Sequence, residues 1–182
     1  MSIKFTSGAP TDTHDKVHSW VNELQSQSQE ANVFPVIGDG YEVKYVSAED
    51  IASGHLLDAA HTSRWRHLVT HGGRPHGELE LDDMHLPVAL HQGPGKDGLV
   101  AALKRAEQLQ GDFEVAVLTS TPLRFIALWL HNDASDLIMP YAPDATPLEN
   151  YVAVPAGEAL GVLQSMAADV LKMSAESDQS AG

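Results

Sequence analysis

The sequence predicts an α+β domain: an antiparallel or mixed sheet with a C-terminal three-strand meander, about residues 113–141, packed against amphipathic helices. Three observations carry this. The stretch Phe113–Tyr141 reads as three strands joined by short turns. Within it, Leu123–His131 is apolar in both alternations, with Leu123, Phe125, Ala127 and Trp129 on one side and Ile126, Leu128 and Leu130 on the other. A strand with no polar face must be covered on both sides. Helical periodicity of 3.6 residues then recurs before and after these strands.

Taken in order, the first helix spans about residues 13–27. Thr13 is placed to cap it, Asp15 suits its positive end, and Val17, Trp20, Val21 and Leu24 fall at i, i+3, i+4 and i+7. The polar run Gln25–Glu30 continues it or leads out of it, so this helix is expected to be loosely attached. Gly38-Asp39-Gly40 marks a turn, and Tyr41–Val46 alternates like a half-exposed strand near an edge. Ser47-Ala48-Glu49-Asp50 has capping-box spacing and should open a helix, broken near Gly54 and running to about Thr70, stopped by His71-Gly72-Gly73-Arg74-Pro75. Glu78–Leu81 and Leu86–His91 are short strand candidates. Asp97 should cap a helix whose apolar face is Leu99, Ala102, Leu103, Ala106 and Leu109, ended by Gly111. After the meander, the proline-rich passage 140–155 leads to a last helix with Leu160, Leu163, Met166, Ala167, Val170 and Leu171 on one face. Residues 1–174 read as one domain and 175–182, polar and small, as a disordered tail.

Composition narrows the function classes. The chain has 182 residues, 43% of them hydrophobic, which is enough for a core. It has no cysteine, so disulfides, thiolate metal sites and a cysteine nucleophile are excluded. No apolar run approaches a membrane span and the N-terminus lacks signal-peptide character, so a cytoplasmic, membrane-free chain is the expectation. The formal charge is −14, and residues 133–182 hold eight carboxylates against Lys172, a net of −7. Such a surface repels nucleic acid and attracts basic proteins.

The chemistry-bearing residues cluster at 61–91, where six of the ten histidines and three of the five arginines lie. Arg64, Arg66, His67, His71, Arg74 and His76 form a basic concentration that suits a carboxylate or phosphate ligand, guanidinium groups binding such anions bidentately. The same arginines could instead pair internally with Glu78, Glu80, Asp82 and Asp83. His67 and His71, four apart on the expected helix, would face one way and suit a shared metal ion, though Leu68 stands where a metalloprotease needs glutamate. Gly93-Pro94-Gly95-Lys96-Asp97-Gly98 matches G-x-G-x-x-G, but Asp97 puts negative charge where a phosphate would sit. His71-Gly72-Gly73 has no G-x-S-x-G to accompany it as an esterase oxyanion loop. His131 could meet Asp133 or Asp136 across strand ends, without an evident nucleophile.

No catalytic set is complete. The expectation is therefore a non-enzymatic, acidic protein-binding accessory protein, analogous at the level of class to bacterial chaperones, immunity proteins and assembly adaptors. Its partner would be another, basic protein, with homo-oligomers as a further form, no cofactor, and Asp144, Glu149, Glu158 and Asp169 as contact residues. The alternative is a metal-dependent enzyme or small-anion sensor using residues 61–91.

Overall fold

The structure, a computed structural model, describes residues 3–5, 13–27, 35–71 and 74–180. Strands are β1 (Ile3–Phe5), β2 (Pro35–Tyr45), β3 (His61–His71), β4 (Arg74–Leu81), β5 (Pro87–His91), β6 (Phe113–Ser120), β7 (Phe125–Asn132), β8 (Ser135–Pro140) and β9 (Val154–Pro155). Helices are α1 (Thr13–Gln27), α2 (Ala48–Ala52), α3 (Gly95–Ala106) and α4 (Ala156–Ser180). The nine strands form one mixed sheet in the order β5-β4-β3-β2-β6-β7-β8-β9, with β1 also pairing β6. The fold is thus α+β.

β6 joins the two halves of the sheet. Its first residues, Phe113–Val115, pair in parallel with β1, and Val117–Thr119 pair in parallel with β2. Its other edge is antiparallel to β7, which in turn pairs antiparallel with β8. Both faces of this centre are buried. On one, Val43, Val115, Val117, Leu128 and Leu130 pack with Leu99, Ala102 and Ala106 of α3. On the other, Leu118, Phe125, Ala127 and Ile138 pack with Ile51 of α2 and with Ala159, Leu163 and Ala167 of α4. A third cluster sets Val17 of α1 against Val69, Leu79 and Leu81.

Several expectations are corrected. The helix expected to run to Thr70 is the five-residue α2, capped by Ser47, whose hydroxyl accepts from Asp50 N at 3.0 Å. The rest of that stretch supplies β3. Its pattern is alternating: Arg66 and Leu68 face the α3 side while Trp65, His67 and Val69 face the other, and β2 and β4 satisfy its backbone on both edges. β2 lies inside the sheet, between β3 and β6, with Tyr41, Glu42 and Val43 all buried. β7 starts at Phe125, because Leu123 and Arg124 form the preceding turn and Arg124 has φ 51°. Trp129 is half-buried, its indole N–H donating to Asp136. Asp97 does not cap α3; Pro94 does, without a side-chain bond. α4 is helical to Ser180, so residues 175–180 are not the irregular tail their composition suggests. Gly72 and Gly73 of the expected helix stop, Ser28–Glu30 of the polar run, and residues 181–182 lie outside the described residues. Among the described residues no helix is long and apolar enough to cross a membrane.

The approach of α3 to the sheet depends on Gly98. A Cβ there would run into the backbone carbonyl of Ala142 and lie 3.1 Å from the Tyr141 ring. At Gly93 a Cβ would meet nothing within 4 Å. Gly98→Ala should therefore cost about 1–3 kcal/mol through displaced backbone, and Gly93→Ala under about 0.5 kcal/mol. Leu128→Ala, deleting a fully buried side chain, should cost about 2–5 kcal/mol. Equilibrium urea unfolding reads all three; equal costs at the two glycines would contradict this packing.

Candidate functional site

The basic cluster is built by strand register. β3 and β4 pair Arg66 with Glu80 and Leu68 with Glu78, and β5 brings His91 beside Glu78. The alternation Arg64-Trp65-Arg66 against Glu78-Leu79-Glu80 puts both arginines and both glutamates on the face under α3. Arg66 donates to Glu80 Oε2 from Nη2 at 2.8 Å and from Nε at 3.1 Å, and its Nη1 lies 4.0 Å from Glu78 Oε1. Arg64 Nε is 3.3 Å from Glu80 Oε1, and its Nη1 is 3.8 Å from Asp83. His91 Nε2 is 3.0 Å from Glu80 Oε2. The Tyr41 hydroxyl donates to Glu78, whose residue is 7% exposed.

The energetics follow from burial. Desolvation by itself would raise the Glu80 carboxyl, but the hydrogen bond and charge of Arg66, then His91, hold it below the usual carboxylate range. Desolvation likewise works against the Arg66 cation, and the bond to Glu80 with the charges of Glu78 and Tyr41 turns the balance, so the guanidinium is held more firmly protonated. Burial, reinforced by Glu78, pushes the Tyr41 and Tyr141 phenols well above their ordinary value. The Tyr141 hydroxyl is buried without a hydrogen-bond partner among the described residues.

Of the arginines expected to hold an external anion, Arg64 and Arg66 face carboxylates of their own chain. The glycine pattern 93–98 is explained in the same way. The Glu78 carboxylate lies 3.5 Å from where a Cβ on Gly95 would stand, so an internal carboxylate sits beneath the first turn of α3, where negative charge is favoured. Gly98 serves close packing against Ala142.

The histidines are dispersed. On β3, residues four apart are about 13 Å from one another, so the helical premise for a shared ion at His67 and His71 fails. His67 is 3% exposed with Nδ1 3.0 Å from the Gly38 carbonyl, whereas His71 is exposed, its ring centroid 5.8 Å from that of His76. His76 Nε2 lies 2.9 Å from Gln92 Nε2, and Arg74 is exposed at the start of β4. Among the described residues no group of three or more His, Asp or Glu is placed to hold a metal ion.

The opposite face carries polar contacts that sequence reasoning only touched. Asp136 Oδ1 accepts from the Trp129 indole at 2.7 Å and lies 2.8 Å from His131 Nδ1. Lys44 Nζ stands 5.8 Å from the Trp129 ring centroid and 3.0 Å from Glu42 Oε2, and Glu42 also accepts from Thr62. His131 borders an open depression of about 410 Å3 lined also by Lys4, Asp112, Phe113, Glu114, Asn132 and Asp133. The His131–Asp136 pair could orient a general base; among the described residues no hydroxyl is hydrogen-bonded to His131. The available signal was the two-residue step Trp129 to His131 and the tight turn returning to Asp136.

The acidic residues divide. Asp144 is part of the loop itself: Oδ1 accepts from Ile126 N at 3.2 Å, and Oδ2 accepts from Thr146 N at 3.0 Å and from its hydroxyl at 2.6 Å. It therefore holds the 141–153 loop against β7, and its carboxylate is not an open contact group. Glu149, Glu158 and Asp169 are exposed. No protein-family model, no curated protein and no solved structure matches this chain.

The pH dependence of stability follows from the sign of each shift. Glu80, depressed, contributes stability above the ordinary carboxylate value of 4.5 and loses it as pH falls through its lower folded value. Tyr41 and Tyr141, raised, contribute stability below 10.0 that is lost as pH climbs through their higher folded values. Unfolding free energy should drop below about pH 4.5 and Glu80→Gln should flatten that limb. Arg66→Leu should cost about 2–3 kcal/mol at neutral pH, since it strands two part-buried carboxylates. Parallel acid limbs for wild type and Glu80→Gln in denaturant titrations would contradict the network.

Proposed function

We propose that this chain is a non-enzymatic accessory protein that binds a basic protein through the acidic surface of its C-terminal third. One asymmetry carries the reading: Arg64 and Arg66 are neutralised internally by Glu78, Glu80 and Asp83, while Glu149, Glu158 and Asp169 face outward. With Lys172 as the one basic residue among the eight carboxylates of residues 133–182, the exposed acids there leave a negative field that speeds encounter with a positively charged surface. The contact set is Glu149, at the end of the 141–153 loop, with Glu158 and Asp169 on α4; Asp144 serves the loop. The alternative, an anion sensor or metal enzyme at residues 61–91, has less to support it, because Arg64 and Arg66 already face carboxylates and His67 and His71 stand apart.

The test is kinetic. Affinity capture at low salt should return a basic partner, and the purified pair should associate about tenfold more slowly when salt rises from about 50 to about 300 mM. The triple change Glu149→Gln, Glu158→Gln and Asp169→Asn should slow association at low salt by a similar factor without lowering the melting temperature. An unchanged association rate in the triple variant, or substrate turnover by the purified wild type, would overturn the reading.

A further inference from the structure

β5 ends the sheet, and among the described residues no strand pairs with its outer edge. Around it stand Met84 (72% exposed), Leu86 (43%) and Val88 (56%), half of the six large apolar side chains exposed among the described residues. An open edge is a template for another strand, and proteins ordinarily blunt it with charged side chains, lysine above all. β5, Pro87-Val88-Ala89-Leu90-His91, carries no lysine, arginine or carboxylate. Residues 84–96 contain no aspartate or glutamate at all, in a chain with 25 of them.

We propose that this edge is where a second copy of the chain docks, β5 against β5, antiparallel about a two-fold axis, joining the two sheets. The sequence is self-complementary in that arrangement. Pairing centred on Val88 sets Leu86 of one copy opposite Leu90 of the other, and Val88 opposite itself. The nearest carboxylates along the sequence, Asp82 and Asp83, fall opposite Pro94 and Gly93, and those nearest in space, Glu78 and Glu80 of β4, already face Arg66, so no two free acids are set against each other. Charge selects the occupant. Two copies at −14 each repel over most of their surfaces, and an acid-free stretch is where that repulsion is weakest. A basic partner, by contrast, gains little from a strand that carries no carboxylate and whose neighbours on β4, Glu78 and Glu80, already face Arg66. This inference does not rest on the proposed function. A short strand and three apolar side chains make a small interface, below about 1,200 Å2, so the dimer is reversible and concentration-dependent.

Sedimentation velocity of the full chain, from about 1 to about 300 µM, reads this directly, and raising salt from about 50 to about 300 mM should favour the dimer by screening self-repulsion. That salt response is opposite in sign to the one expected for binding a basic protein. The double change Leu86→Lys and Val88→Lys should weaken the dimer at least about 30-fold, since it places like charges across the edge. Met173→Lys, on the exposed end of α4, should leave it intact. A wild type that stays monomeric throughout, a double variant that dimerises like wild type, or a dimer lost in Met173→Lys would each overturn the proposal. Should the double variant fail to fold, amide exchange in the wild type decides: protection at 88–91 that grows with concentration supports the edge pairing, and protection independent of concentration refutes it.

Discussion

The structure depends on β6 being buried on both faces from Val115 to Leu118 and needing partners on both edges. Phe113, Val115 and Val117 point into the core beneath α3, and Ala116 and Leu118 point the other way. Such a strand is stable only with layers above and below it, so α3 must lie on one side and α2 with α4 on the other. Its edge opposite β7 is long enough for two short parallel partners, β1 at its start and β2 further along. Through β2 the three strands β3, β4 and β5 are attached, and through β7 the strands β8 and β9. The close seat of α3, permitted by Gly98, completes this constraint.

The Arg66–Glu80 contact is a consequence of β3 and β4 being laid down in that register. Side chains alternate with a period of two, so slipping β4 by one residue would set Leu79 and Leu81 under α3 and turn the glutamates toward Val17 and Trp65. Ion pairs that are largely shielded from water add little net stability over well-packed apolar residues, but a broken one is costly. A one-residue slip would break the contacts of Arg64 and Arg66 with Glu78 and Glu80, so these residues disfavour that pairing.

The two faces of the sheet differ in chemistry as a result. Under α3, Arg66, Glu78, Glu80 and Tyr41 are closed off by one another, whereas the Tyr141 hydroxyl is buried without a hydrogen-bond partner among the described residues. On the opposite face, Asp136 is shared by Trp129 and His131 near the edge of an open depression, and Lys44 lies against the same indole. On that face Asp136 orients the His131 imidazole beside the depression.

What the sequence by itself determined was the two-sided burial of the strand within Leu123–His131, the positions of α1, α3 and α4, the capping of α2 by Ser47, and the skew of negative charge toward the C-terminal third. Each of these is local, a matter of periodicity, caps or composition. What the tertiary structure decided was whatever depends on a neighbour. Residues 61–71 carry a pattern that a helix or a strand could take, and the open edges of β2 and β4 made them a strand. That choice separated His67 from His71 and brought Arg66 onto Glu80, so Arg64 and Arg66 pair internally while Arg74 stays exposed. Asp144 looked like a surface acid and is a loop tie, because Ile126 and Thr146 supply donors from other parts of the chain. The physical reason is the same in each case: period and composition are written along the chain, whereas the partner that satisfies a charge or a backbone edge is fixed only when distant segments meet.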